Sequence, residues 1–532
     1  MRGIAKTRAP TSTAVSDSWQ RLSVGALALV PVLFYLFMVL RFWGMLQDDS
    51  YIGFRYVDNL LRGNGLVFNP GERVEAFSSP LWLLLTALLS PLLSRPTAAK
   101  VLGVSSGLAT GLVIFLWIRQ LAARQGFSAR QCRLAAAMSL GFFFCDFGVV
   151  YYSISGLETI LCGLLATLSA IAVYEELRTR KVRYSWLFLG LNVWTRPEAI
   201  LLCLLAVAVM AVAGVDRRQL ARLIVLTALF VVPLYVCRRM IYGQWQTNTY
   251  AAKVHFGVDS LKLAADYLLP CLYHYGKPVV LIFWILGLRV GLRRWGAAGV
   301  AALTLPLVVV LALVVLAGGD WMGYLRFLVP AFGSVAIFAG LGAASVVGNR
   351  RFDLFQAVFP GCVLVLLLAA ATLSARKMAE EEGAPVFSGP SALWKGGHDS
   401  RSQTVIADWV REHVARHQWV AYGDMGIVPY LNPEINFIDY HGLITPEVSH
   451  LKNVKRNVTG VWDDESDANN PVGQLLLKKR PEYILTMLRA KGRFPIGSRA
   501  FSGAYETVDA ISLEASGNDP SLCIYAFKRI DR

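Results

Sequence analysis

Between Leu22 and Ser374 long apolar runs recur, separated by short polar stretches. A helical run of about 20 apolar residues matches the ~30 Å hydrocarbon layer of a bilayer. The pattern predicts helices over 22–44, 98–118, 134–152, 158–175, 184–195, 198–214, 223–241, 277–291, 297–317, 327–346 and 354–374, about eleven spans. Two of them, 184–195 and 198–214, are half-length and meet at "TRPEA" (Thr195–Ala199). Basic clusters at 119–133, 178–183, 217–222, 289–294 and 350–351 lie between the runs. With the N-terminus inside, every cluster faces the cytoplasm, as the positive-inside rule requires. The same alternation requires "SSPLWLLLTALLSPLL" (Ser78–Leu93) to lie at the outer interface without crossing. The first run follows a basic tail, and no small-residue cleavage site comes after it, so an uncleaved anchor is expected. From about Ala375 the pattern changes. "HQWVAYGDMGIVPYL", "INFIDYHGL", "PEYILTML" and "LCIYAFKR" read as short strands between turns and helical segments. The expected organisation is a membrane body over 1–374, with an external loop over 45–97 carrying interfacial helices, and an extracytoplasmic α/β domain over 375–532.

Composition agrees with a multi-pass protein of the plasma membrane. Of the 532 residues 55% are hydrophobic and 17% charged, and the mean hydropathy is +0.48; one soluble core does not accommodate that much apolar surface. The formal charge of +16 sits in short clusters between spans, which reports topology and not a nucleic-acid partner. The eight cysteines are scattered, and no disulfide framework, CxxC pair, HExxH or phosphate-binding GxxxxGK[ST] loop is present. An ATP-driven pump is therefore disfavoured. A transporter for a lipid-linked sugar predicts charge through the bilayer depth and inverted repeats; here charge concentrates on one face and no repeat is evident.

That face is the outer one. The topology places Asp48–Asp49, "SGLET" (Ser155–Thr159), "TRPEA", "YGQWQTNTYAAKVHFG" (Tyr242–Gly257) and "GGDWMGYLRF" (Gly318–Phe327) together outside. Asp48–Leu61 reads as an amphipathic interfacial helix with Tyr51, Phe54, Val57, Leu60 and Leu61 as its apolar stripe. Carboxylates at a helix N-terminus are favoured by about 0.3–1 kcal/mol, so a cap accounts for one aspartate. The second is available as a general base or, through oxygen ligands, for a divalent cation. Arg196 and Glu198 interrupt apolar sequence, where a charge costs roughly 2.5–3.5 kcal/mol; they pair with each other or with Glu158, or Arg196 meets an anionic ligand. Arg55, Arg196, Lys253 and Arg326 supply enough cations near one surface for a phosphate. No metal-ligand cluster stands out beyond the aspartate pair, and no cofactor is required by the pattern.

Taken in order, "QDDSYIGFRY…GNGLVFNPGERVEAFSSPLW", "SGLET", "TRPE", "NTYAAK", "GGDWMGYLRFLVP" and "GDMGIVPYL…IDYHGL" resemble the integral-membrane GT-C glycosyltransferases related to the terminal arabinofuranosyltransferase of the mycobacterial cell wall. The resemblance runs from about Leu22 to Leu443. It implies a mostly α, polytopic GT-C helix bundle and a polyprenyl-phosphate sugar donor, with arabinofuranose favoured over mannose or another hexose. The acceptor it implies is an external glycan, glycolipid or protein. It implies Asp48 or Asp49 as the base and Arg196, Lys253 and Arg326 at the leaving phosphate. It also gives substrate-facing places to Glu75, Glu158, Glu198, Asn248, Asp320, Trp321, Tyr324 and His441. The chain departs at Ala76-Phe77-Ser78-Ser79, where the family often carries a Gly-Tyr-Thr-Asn-like run, so donor-sugar contacts are expected to differ there.

Overall fold

A computed structural model describes residues 12–124, 127–253, 258–273, 276–320, 322–347, 353–381, 398–451, 456–457, 460–461, 471–489, 503–512 and 522–530. Lys253 is described in its backbone only, and Trp321 lies outside the described residues. The membrane body begins with α1 (Ser12–Arg41), followed by the short helices α2 (Asp48–Leu61) and α3 (Pro80–Leu89). Then come α4 (Arg95–Arg124), α5 (Ala129–Phe144), α6 (Phe147–Ile154), α7 (Thr159–Thr179), α8 (Ser185–Thr195), α9 (Ala199–Val212) and α10 (Arg217–Tyr242). Three short helices, α11 (Asn248–Lys253), α12 (Val258–Leu268) and α13 (Pro270–Tyr273), precede α14 (Lys277–Ala317), α15 (Phe332–Val347) and α16 (Asp353–Glu381). Among the described residues six helices are long and apolar enough to cross a bilayer, or seven if the bent pair α5–α6 is one span.

Several details follow from local sequence. Gly296 takes φ 70°, ψ 178° and breaks α14 into two helices, at the basic cluster where two separate spans were expected. Helix α3 has ten residues and so reaches only about 15 Å, too short to cross. Helices α8 and α9 are the two half-length segments flanking the Arg196 break. Glycine admits close helix contact between α14 and α15: a Cβ at Gly287 would stand 1.8 Å from the Phe338 carbonyl oxygen, and one at Gly342 2.0 Å from that of Phe283.

The C-terminal unit is built from α17 (His398–His413), β1 (Trp419–Tyr422), α18 (Ile427–Leu431), β2 (Asn436–Asp439) and α19 (Pro446–Ser449), then the small hairpin β3 (Arg456–Asn457) and β4 (Gly460–Val461). After it come α20 (Pro471–Lys479), β5 (Tyr483–Arg489), β6 (Tyr505–Ser512) and β7 (Leu522–Arg529). The sheet order is β2-β1-β5-β7-β6; β1 pairs parallel with β2 and β5, while β7 pairs antiparallel with β5 and β6. Side chains alternate between its faces. Ala421, Ile438, Ile484 and Phe527 pack with Val472 and Leu476 of α20. Val420, Phe437, Leu485 and Ala526 pack with Ile406 and Val410 of α17.

That second core does not end at the domain. It continues into Ile52, Tyr56, Val57, Phe68, Phe77 and Leu83 of the segment between α1 and α4. Helix α2 is therefore held between the membrane body and the C-terminal unit, and Arg55 and Asn59, off the apolar stripe, are buried with it. Arg55 is 3% exposed. It donates to the carbonyls of Phe68 (2.9 Å), Pro429, Asn432 (3.2 Å) and Ile435 (2.8 Å) and to Asn69 Oδ1 (3.5 Å), between the rings of Phe68 and Phe437. Burial pushes its pKa down to about 9. Asn69 completes the joint: its amide donates to the Phe437 carbonyl and accepts the Phe437 N–H (2.8 and 3.1 Å), covering the β2 edge.

Replacing Arg55 with Met orphans buried carbonyls, each worth about 1–3 kcal/mol. Denaturant unfolding in detergent should show a loss of about 3 kcal/mol, while Arg416→Met, which breaks an exposed pair with Glu434, should change stability by under about 1 kcal/mol.

Candidate active site

A cavity of about 150 Å³ opens where five polar segments meet under the C-terminal unit. Its lining includes Asp49 from α2, Ser78 and Ser79 before α3, Trp82 and Thr86 on α3, and Gly156–Glu158 before α7. Arg196–Glu198, Thr247, Thr249 and Tyr250, then Gly319, Asp320, Arg326 and Phe327, complete it with Leu443 from the C-terminal unit. A narrower apolar slot of about 40 Å³ adjoins it through Arg196, Glu198, Arg326 and Phe327, running between Cys162, Ala166, Leu202, Val309 and Val310. A larger cavity of about 420 Å³ lies on the other side of the 318–325 segment and shares Asp320 with the first.

The charged wall is an alternating chain. Arg196 donates from Nη1 to Glu158 (2.9 Å) and from Nε to Glu198 (2.6 Å). Arg326 lies 3.3 Å from Asp320 and 3.8 Å from Glu158. Glu158 thus sits between two guanidiniums and fixes their spacing. Each guanidinium has five N–H groups, and these carboxylates take only some of them; Arg326 Nε is buried and has no hydrogen-bond partner among the described residues. The α8–α9 break, forced by Pro197, is what brings Arg196 to Glu158. The Gln47 N–H bonds the Ser155 carbonyl (3.0 Å) and Trp82 Nε1 bonds that of Gly156 (3.0 Å), tying the 155–158 turn to the start of α2 and to α3.

The two aspartates are held differently. Asp48 Oδ1 accepts the N–H of Ile427 at 2.8 Å, at the start of α18. Only glycine fits at 426, because a Cβ there would lie 2.2 Å from the Asp48 carboxyl carbon. Asp49, one residue on, lines the cavity. Among the described residues no group of three or more His, Cys, Asp or Glu side chains is gathered as a metal site requires.

Asp49, Glu158, Arg196, Glu198, Asp320 and Arg326 therefore share one cavity. Other sequence candidates stand elsewhere. Arg55 lies in the joint with the C-terminal unit. Glu75 is buried with Arg238 of α10 in a two-point ion pair (2.5 and 3.0 Å). Asn248 donates to the carbonyls of Gly442 and Leu443 (both 2.8 Å) and accepts from Ser449 (2.6 Å), bracing the loop that carries Leu443. Asp439 shapes the same loop by accepting the N–H groups of His441, Leu443 and Ile444; its burial pushes its pKa up. The His441 ring packs beside Tyr440, and Tyr324 stacks among Phe147 and Tyr151 on the larger cavity. Sequence reasoning missed Arg238, which with Arg239 lies near the end of the apolar helix α10, Thr86, a lone hydroxyl in the apolar helix α3, and Thr247, which lies inside a polar run quoted for other residues.

A protein-family profile described as a domain of unknown function (DUF8728) matches residues 393–525. Terminal β-(1→2)-arabinofuranosyltransferases are similar in part. The Corynebacterium glutamicum protein is 40% identical over 84 residues, 12% of this chain and 12% of that one. The Mycobacterium tuberculosis protein is 28% identical over 236 residues, 40% of this chain and 36% of that one. The matches thus span about an eighth and about a third of those relatives' lengths. Among solved structures, ArnT from Cupriavidus metallidurans, bound to undecaprenyl phosphate or in the apo state, superposes with a TM-score of 0.53 at 14% identity, covering 96% of this chain and 98% of that one.

Removing one partner of a buried ion pair costs about 3–5 kcal/mol. Glu75→Ala should destabilise the protein by that much in denaturant titration, and Glu75→Met with Arg238→Met should recover most of it. In architecture the chain is a helical membrane protein with the fold of ArnT, and over part of its length it resembles in sequence the terminal arabinofuranosyltransferases.

Proposed function

We propose that the protein is a membrane glycosyltransferase that moves a sugar, arabinofuranose in the favoured reading, from a polyprenyl phosphate to a hydroxyl of an external glycan, glycolipid or protein. The observation that carries this reading is a single cavity with a carboxylate, Asp49, across from two anchored guanidiniums, Arg196 and Arg326, and an apolar slot beside the guanidiniums. Undecaprenyl phosphate in the ArnT structure and the names of the partial relatives support the donor and the sugar. Asp49 takes the proton of the acceptor hydroxyl as its oxygen bonds the anomeric carbon. The bond from that carbon to the phosphate oxygen breaks, and Arg196 and Arg326 meet the charge that grows on the departing polyprenyl phosphate. Glu158, Glu198 and Asp320 hold the guanidiniums in place, and the polyprenyl chain lies along the slot. Asp48 is a positioning residue: its bond to Ile427 sets the first turn of α2 and with it Asp49. The C-terminal unit and the site lie outside the cytoplasm, with the N-terminus inside.

The test is transfer from synthetic polyprenyl-phospho-arabinofuranose to an alkyl arabinofuranoside by the purified protein. General-base catalysis is worth about 10²–10⁴-fold, so Asp49→Asn should lower kcat by that range. Asp48→Asn, which keeps a side-chain oxygen as acceptor, should cost about tenfold or less. Equal activity in wild type and Asp49→Asn would remove Asp49 from the chemistry, and transfer only from a hexose donor would overturn the sugar.

A further inference from the structure

Eight buried side-chain nitrogen and oxygen atoms have no hydrogen-bond partner among the described residues, and three of them, Arg326 Nε, Thr86 Oγ1 and Thr159 Oγ1, belong to residues that line the cavity (Arg326, Thr86) or the slot beside it (Arg326, Thr159). A buried polar atom is ordinarily paired; a cluster of unpaired ones around one cavity indicates that a ligand completes them. Arg326 and Thr159 stand beside Arg196 and belong with an anionic group. Thr86 does not. It is the one hydroxyl in the apolar helix "PLWLLLTALL", a helical turn after Trp82 on the same cavity-facing side.

The usual fate of a helical hydroxyl is to bond the carbonyl four residues earlier. In this chain Ser106, Thr110, Ser139, Ser153, Thr304 and Thr372 all do so. Thr86 is 1% exposed and leaves the Trp82 carbonyl alone, while its own carbonyl accepts from Ser90 (2.7 Å). Beside its charged residues the cavity lining carries four further hydroxyls: Ser78 and Ser79 before α3, and Thr247 and Thr249. That chemistry suits the hydroxyls of a neutral sugar ring and not a phosphate. Ser78 and Ser79 are also where the chain departs from the Gly-Tyr-Thr-Asn-like run.

The geometry points to Thr86 as a specificity-determining residue that hydrogen-bonds one hydroxyl of the donor sugar; this rests on the glycosyl-transfer reading above. A site built to pair a ligand hydroxyl rejects an analogue that lacks it, since its own polar group is then left unpaired. The experiment measures kcat/KM for polyprenyl-phospho-arabinofuranose and each of its monodeoxy analogues, with wild type, Thr86→Val, Thr86→Ala and Thr86→Ser. Wild type should discriminate against one deoxy donor by tenfold or more. The Val and Ala variants should lose that discrimination while keeping wild-type preferences at the other ring positions, and Ser should restore it. If Val or Ala, either of which folds, keeps the full wild-type pattern, the assignment is overturned although transfer itself stands. If wild type transfers from none of these donors or from a hexose donor, the underlying reading fails and takes the assignment with it.

Discussion

Arg55 is a cation buried without a carboxylate, and its hold on four backbone carbonyls from two parts of the chain is what the site depends on. Phe68 belongs to the segment between α2 and α3, and Pro429, Asn432 and Ile435 to the C-terminal unit. Such a charge is tolerated only where its donors are satisfied, so the guanidinium fixes the seating of one unit on the other. Helix α2 carries that constraint directly to its first turn, where Asp48 meets Ile427 and Asp49 meets the cavity. The apolar core that runs from α2 into α17 and the sheet makes this joint part of one folded body.

The cavity then follows from three irregularities in an otherwise helical bundle. The α8–α9 break delivers Arg196; the Gly-rich segment after α14 delivers Asp320 and Arg326; the 155–158 turn delivers Glu158. Each would be costly alone in an apolar setting, and each neutralises its neighbour. The alternating arrangement leaves the arginines oriented but not saturated, and in the proposed reaction they are a preorganised cradle for charge that develops on the leaving group. From α3 the cavity lining takes the apolar Trp82 and Leu83 and one hydroxyl, Thr86. A phosphate, a lipid chain and a sugar ring have distinct chemistry, and the hollow offers each a matching wall.

Much of this was legible in the sequence where the signal is local. The bounds of α2, the half-length helices around "TRPEA", the break in α14 and four of the strands follow from periodicity and turn residues. The polar motifs do share one cavity, while the expected count of about eleven spans stands against six or seven membrane-length helices among the described residues. Strand β6, buried only at Tyr505 and Ile511 with exposed residues between, gave no periodic signal. Partners remote in sequence were not legible: Arg55 looked like a phosphate ligand because nothing nearby shows that its acceptors lie more than 370 residues away. Glu75 looked substrate-facing because Arg238 hides within an apolar helix. Thr86 was silent because a threonine among leucines reads as filler until its hydroxyl is seen to lack a partner.

The central claim is that the phosphate of a polyprenyl-phospho-sugar rests between Arg196 and Arg326 with its sugar toward Asp49. A cryo-EM structure of the full chain with a non-transferable phosphonate analogue of the donor tests it most directly. Phosphonate oxygens are expected at charge-assisted hydrogen-bond distance, about 2.7–2.9 Å, from both guanidiniums, with the lipid along the slot beside α7 and α9. A phosphonate seated in the larger cavity beside Lys277, with Arg196 and Arg326 still closed on their carboxylates, would contradict it.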